Sequence, residues 1–163
     1  MQNSLRKQSQ AGFTLLEMLV VISIIGILIS MLLVNFQSSR ERARDAARKA
    51  DMRQIKSALR LYYNDFQQYP ANDGSNRILG CGTGTGACTW GGSFEANGTQ
   101  YMNYLPIDPV NNGTYVFRYA QTDSGDGFEL WSALENDSDE DATKSVDRCA
   151  AAAGTNKYVV CED

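Results

Sequence analysis

Among its 163 residues the chain has no histidine, three prolines and two tryptophans. Without histidine it lacks the most frequent general base at neutral pH and the commonest metal-binding side chain. No nucleophile stands beside a base, and no two acids fall in a recognisable pocket pattern, so the sequence carries no catalytic apparatus. No CxxC occurs, and the cysteine spacings do not suit zinc. The Gly-rich run Gly80 to Gly86 lacks both the Lys-Ser or Lys-Thr ending of a P-loop and the flanking strand and helix of a dinucleotide fold, which argues against nucleotide binding. Acids outnumber bases by 19 to 15, a net charge of −4, so general affinity for nucleic acid is not expected. The length suits one modest domain plus an anchor and leaves no room for a large enzyme.

What is present is a long apolar run. From Phe13 to Val34 the only ionisable residue is Glu17, and a helix of about 20 residues crosses a roughly 30 Å hydrocarbon layer. A carboxylate inside that layer costs at least about 2.5 kcal/mol and so calls for a function and a partner. Cleavage between Gly12 and Phe13 would create an α-amine near Glu17, a natural counter-ion. An ordinary signal peptide has a shorter core and ends in a small-residue site, and no Ala-x-Ala follows this run. A simple membrane anchor would explain the span, but not the Gly-Phe pair or the placement of Glu17.

Lys7, the run Gly12-Phe13-Thr14-Leu15-Leu16-Glu17 and the apolar stretch after it resemble the class III signal of the type IV pilin and type II secretion pseudopilin superfamily. The resemblance implies that a prepilin peptidase removes residues 1–12 and methylates the amine of Phe13. It also implies that Glu17 pairs with the Phe13 amine of a neighbouring subunit. Gly26, with Ser23, is a small residue placed for close helix packing during assembly. The family often has a proline near the end of this segment, where Val34 stands here. Removing the leader takes two of the 15 basic residues and no acid.

No proline or glycine falls between Ile27 and Phe66, so one continuous helix is expected, ending at the Tyr69-Pro70 step. Met52, Ile55, Leu59, Tyr62 and Phe66 recur at intervals of three and four, and Ala43, Ala46, Ala47 and Ala50 are expected to extend that stripe toward the membrane. The organisation predicted is a leader at 1–12, a membrane-spanning or filament-core helix at 13–35, an amphipathic helix at 36–68 and a globular head at 69–163. Residues 71–100 have loop composition. Tyr115 to Ala120 and Phe128 to Leu134 alternate around a turn at Asp123 to Gly127, and Lys157 to Cys161 reads as a third strand. The fold class is therefore α+β, a long N-terminal helix packed on a small antiparallel sheet. Leu105 to Pro109 with the hairpin after it also resembles the region after the helix in major pseudopilins.

The four cysteines permit three pairings; the sequence-near pairs Cys81 with Cys88 and Cys149 with Cys161 are favoured, in an oxidising compartment. Arg6 and Lys7 place the N-terminus in the cytoplasm, whereas Arg40, Arg42, Arg44, Arg48 and Lys49 oppose that orientation. Cysteine chemistry and the resemblance decide for the cytoplasmic N-terminus, with Glu41, Asp45 and Asp51 expected to neutralise the second basic group. Asp137, Asp139 and Asp141 lie in an acidic run where major pseudopilins use calcium, although EF-hand spacing is absent and such runs are usually solvated; no cofactor is required. Three N-glycosylation patterns, at Asn97, Asn112 and Asn136, are short enough to arise by chance.

The function expected is that of a type IV pilus subunit serving adhesion, motility or DNA uptake, with nucleic acid a partner only as an uptake substrate. The alternative is a major-type pseudopilin of a type II secretion system, and a reading of another class is a monomeric membrane-anchored binding module. The partners implied are further copies of the chain in a helical homopolymer, the prepilin peptidase, an inner-membrane assembly platform, a cytoplasmic ATPase and lipid before assembly. The precursor is expected in the cytoplasmic membrane, and the polymer in an extracellular pilus or a periplasmic pseudopilus.

Overall fold

Helix α1 runs Leu15–Phe66 in the computed structural model, which describes residues 12–82, 85–149 and 156–162, without the side chains of 32–35. Apart from Gly12, the leader with Arg6 and Lys7 lies outside the described residues. Thr14 starts the helix, and its end is set by Gln67, which turns left-handed (φ 53°) while its amide still reaches the Tyr63 carbonyl at 2.7 Å. Pro70 follows, where helical continuation is sterically blocked.

The described residues up to Ser39 form one compact unit and those from Arg40 onward another. In the first unit the apolar side chains of α1, from Leu15 to Met31, are exposed. Among the described residues no single helix is long and apolar enough to cross a membrane, and the apolar run Leu15–Met31 leads into residues 32–35.

The second unit is α+β. Met52, Ile55, Ala58, Leu59 and Tyr62 of α1 are buried, the helical spacing bringing them onto one face. They share a core with Phe94, Leu105, Phe117, Tyr119, Phe128, Leu130 and Tyr158. Tyr62 anchors an aromatic group, with ring centroids 4.4 Å from Phe66, 5.6 Å from Phe94 and 5.4 Å from Tyr101. The alanine extension of this stripe is not observed: Ala43, Ala46 and Ala47 are exposed, Ala50 is half-buried, and Asp45 and Arg48 are buried instead. The inner face of the helix therefore changes from ionic to apolar at about Met52.

Strands β1 (Leu79–Cys81) and β2 (Gly86–Ala87) pair antiparallel, as do β3 (Phe94–Ala96) and β4 (Thr99–Met102). The β3–β4 turn is Asn97-Gly98, both at positive φ, the geometry that two-residue hairpin turns require. The main sheet has order β5-β6-β7: β5 (Arg118–Thr122) and β6 (Gly127–Ala133) form a hairpin, and β7 (Lys157–Cys161) returns along β6. Phe128, Leu130 and Ser132 of β6 point inward and Glu129, Trp131 and Ala133 are half-buried, a period-two pattern. The expected first strand is shorter than its alternation implied, since Tyr115 to Phe117 stand outside β5.

A second helix, α2 (Glu140–Cys149), is not among the elements the sequence predicts. It buries only Ala142 and Ser145, so it leaves no apolar period to read. The outward edges of the sheet are occupied. Tyr119 N–H donates to the Asn76 carbonyl (2.8 Å), Gln121 N–H to the Asn72 side chain (3.0 Å) and Val159 N–H to the Ser145 hydroxyl (2.9 Å). Disulfides join Cys81 to Cys88 and Cys149 to Cys161, tying β1 to the segment after β2 and the end of α2 to the end of β7.

Leu59 is fully buried in this core. Leu59→Ala is expected to destabilise the second unit by about 2–5 kcal/mol, read as a lower midpoint in guanidinium unfolding followed by tryptophan fluorescence.

Candidate functional site

The two ends of the functional reading lie on α1. At its start, Thr14 and Glu17 satisfy each other. The Glu17 amide donates to the Thr14 hydroxyl (3.2 Å), and the Thr14 amide and hydroxyl each donate to Glu17 Oε2 at 2.8 Å. This is a capping box, which binds helix amides that have no intrahelical acceptor. Its signature, Thr-x-x-Glu before an apolar run, lies within the same residues as the processing motif. Gly12 and Phe13 stand exposed just ahead of it. Gly26 has open space around it, with nothing within 4 Å of where a Cβ would sit.

Farther along α1 an ionic cluster joins helix to head. Arg48, fully buried, donates through Nε and Nη2 to Asp108 at 2.8 and 2.9 Å, and through Nη1 to Asp45 at 2.6 Å and Glu135 at 2.7 Å. Its guanidinium also lies 5.1 Å from the Tyr115 ring centroid. Asp108 accepts further hydrogen bonds from the Val110 amide and the Ser132 hydroxyl (2.9 and 3.1 Å), and Asp45 from the Glu135 and Asn136 amides (3.0 and 2.9 Å). Arg44 donates to the second Glu135 oxygen. The carboxylates thus have both cations and backbone donors, as buried charge requires. Burial opposes the charge on Arg48, but its hydrogen bonds to Asp108 and Glu135 outweigh burial and raise its pKa further. Burial likewise works against the Asp108 carboxylate, and Arg48 holds it below the ordinary value; for Glu135 the Arg44 hydrogen bond leads in lowering it.

The basic segment draws partners from its own helix and from the head. Asp45 pairs with Arg48 and the Glu41 charge favours that of Arg44, while Glu135, Asp108, Asp139 and Asp141 join them from the head. Asp51 is instead raised above its ordinary value by burial and by the neighbouring Asp108 charge.

The carboxylates of the acidic run are engaged by side chains of the chain itself. Lys49 Nζ lies 2.7 Å from each Asp139 oxygen and 2.7 Å from Asp141 Oδ2, and Asp137 Oδ1 accepts from the Asn156 amide group at 3.0 Å. The ammonium stands where a cation bound by Asp139 and Asp141 would sit. Among the described residues no three Asp, Glu, Cys or His side chains are gathered to hold a metal.

Two family profiles match the chain: "Prokaryotic N-terminal methylation motif" over residues 7–33, and "Type II secretion system (T2SS), protein G" over residues 35–149. The chain is 31% identical over 138 residues to the type II secretion system core protein G of Aeromonas hydrophila, covering 84% of this chain and 93% of that protein. It is 30% identical over 144 residues to the same-named protein of Pseudomonas aeruginosa, covering 85% and 95%. Its identity with that of Escherichia coli is 34% over 104 residues, covering 63% and 68%. No solved structure matches significantly.

Arg48→Met is expected to destabilise the second unit by about 3–5 kcal/mol, because it leaves buried carboxylates uncompensated. The lowered pKa values of Asp108 and Glu135 give a sign for acid. Their contribution is fully present above the ordinary values of 3.8 and 4.5 and is lost as pH falls through the lower folded values. Unfolding midpoints measured between neutral and acidic pH are therefore expected to drop in that window, and Asp108→Asn is expected to flatten the dependence.

Proposed function

The chain belongs to the type II secretion system protein G family, and on that premise we propose that it is a pseudopilin that polymerises into a periplasmic pseudopilus for protein export. The type IV pilus reading, placed first on sequence alone, is only broadly related and gives way to its alternative. The relatives that align along most of the chain carry the name of a secretion core protein. The family is a structural component of a secretion system and not a known enzyme family.

One juxtaposition supports the reading best: a methylation motif leads directly into a helix whose apolar side chains stand exposed in the single chain. Such a surface needs lipid or neighbouring helices around it. The precursor enters the membrane with its N-terminus in the cytoplasm, anchored by residues 13–35. Prepilin peptidase cuts after Gly12 and methylates Phe13. The platform and its cytoplasmic ATPase then lift the chain into a filament in which apolar helices pack, Gly26 permitting close approach. Glu17 sets the register, because leaving lipid favours it only where a neighbour's Phe13 amine waits. Thr14 holds the carboxylate at the helix start while that partner is sought.

Gly12→Glu is expected to leave a full-length precursor in the membrane on immunoblots; normal-length product would count against the assignment. Glu17→Ala is expected to be cleaved normally but to give no polymer and no export of a secreted reporter. Wild-type polymer yield from that variant would sink the ion-pair role.

A further inference from the structure

The acidic loop after β6 is held by a cation that the chain itself supplies. Two carboxylates, Asp139 and Asp141, converge on a single point, and that point is the Lys49 ammonium, 2.7 Å from three of their oxygens. Lys49 and Asp139 are sheltered, their side chains 13% and 19% exposed, and Asp141 closes the contact from the solvent side. Lys49 also lies over the Tyr158 ring, 5.5 Å from its centroid, so aromatic as well as carboxylate contacts fix it. Asp139 also caps α2, because its Oδ1 accepts the Asp141 amide at 3.0 Å. Anchoring this one carboxylate therefore anchors the start of α2, and through the Cys149–Cys161 bond the end of β7.

Like charges brought this close repel unless a cation stands between them. A diffusible divalent ion would serve, but its occupancy would follow its concentration. A lysine fixed to α1 has a permanently high local concentration and does not exchange with solvent. We propose that Lys49 is the resident cation of this loop, taking the place of a divalent ion, so that the loop and α2 stay docked at any calcium concentration. The inference concerns the head alone and stands whether or not the chain serves secretion.

The test uses the full chain in detergent micelles, with thermal unfolding followed by near-UV circular dichroism in EDTA and in millimolar calcium chloride. Wild type is expected to give one Tm in both. Lys49→Ala is expected to have a lower Tm in EDTA and to regain part of it in calcium, because the vacated carboxylates then bind the ion and stabilise by mass action. Lys49→Arg, which keeps the charge, is expected to lie near wild type and to ignore calcium. A calcium-dependent rise in the wild-type Tm would overturn the proposal. So would a Lys49→Ala protein that loses nothing in EDTA or gains nothing from calcium. Should Lys49→Ala not fold in EDTA, its recovery on refolding in calcium supports the proposal, and failure to recover refutes it.

Discussion

A guanidinium with no access to water sits where α1 meets the head, and the surrounding structure is arranged to satisfy it. Arg48 has five N–H donors, and Asp45, Asp108 and Glu135 take four hydrogen bonds from it. Those three acids come from α1, from the loop before β5 and from the segment after β6. Asp108 draws in an amide of its own loop, Asp45 on α1 draws in the amides of Glu135 and Asn136, and Glu135 draws in Arg44. A buried ion pair is a poor source of net stability but a strict condition on geometry, since losing one member strands the rest. Here that condition fixes which residues of α1 face the head and where two long loops end.

The same helix works in two solvents. From Leu15 to Met31 its side chains are apolar and exposed, with one carboxylate bound to Thr14 at the start. From Asp45 to Tyr62 one face is buried, ionic first and apolar later. In the proposed function the first stretch meets lipid and then other helices, while the second is committed to its own head. Assembly can therefore exchange the partners of the first stretch without disturbing those of the second.

What could be read from the sequence follows from which signals are periodic. The end of α1, the stripe from Met52 to Tyr62 and the hairpin of β5 and β6 were legible, because apolar residues at fixed spacing have few folded interpretations. The segment from Arg40 to Ala50 was misread because alanine resembles a core residue and arginine a surface one. Its burial depends on acids some sixty and ninety positions away, which no local pattern reveals. Strands β1 to β4 are too short for alternation to emerge. Asn97-Gly98 is nonetheless a strong hairpin dipeptide, and it would have located the β3–β4 turn. At the N-terminus, the spacing of Thr14 and Glu17 already spelled a capping box beneath the processing motif. The acids at 137, 139 and 141 look the same in sequence whether a metal or a lysine sits among them, and only the fold brings Lys49 into contact.

The occupied edges of the β5-β6-β7 sheet bear on crowding. In a polymer, heads of identical sequence would be held at very high local concentration, the situation in which an open strand invites a neighbour's strand to add to it. Asn72 and Asn76 on one side, and Ser145 of α2 on the other, already bind the outward amides at Tyr119, Gln121 and Val159. In the proposed polymer the short helix that the sequence does not announce would thus act as a guard, leaving growth to the helices and keeping neighbouring heads from zipping into one another.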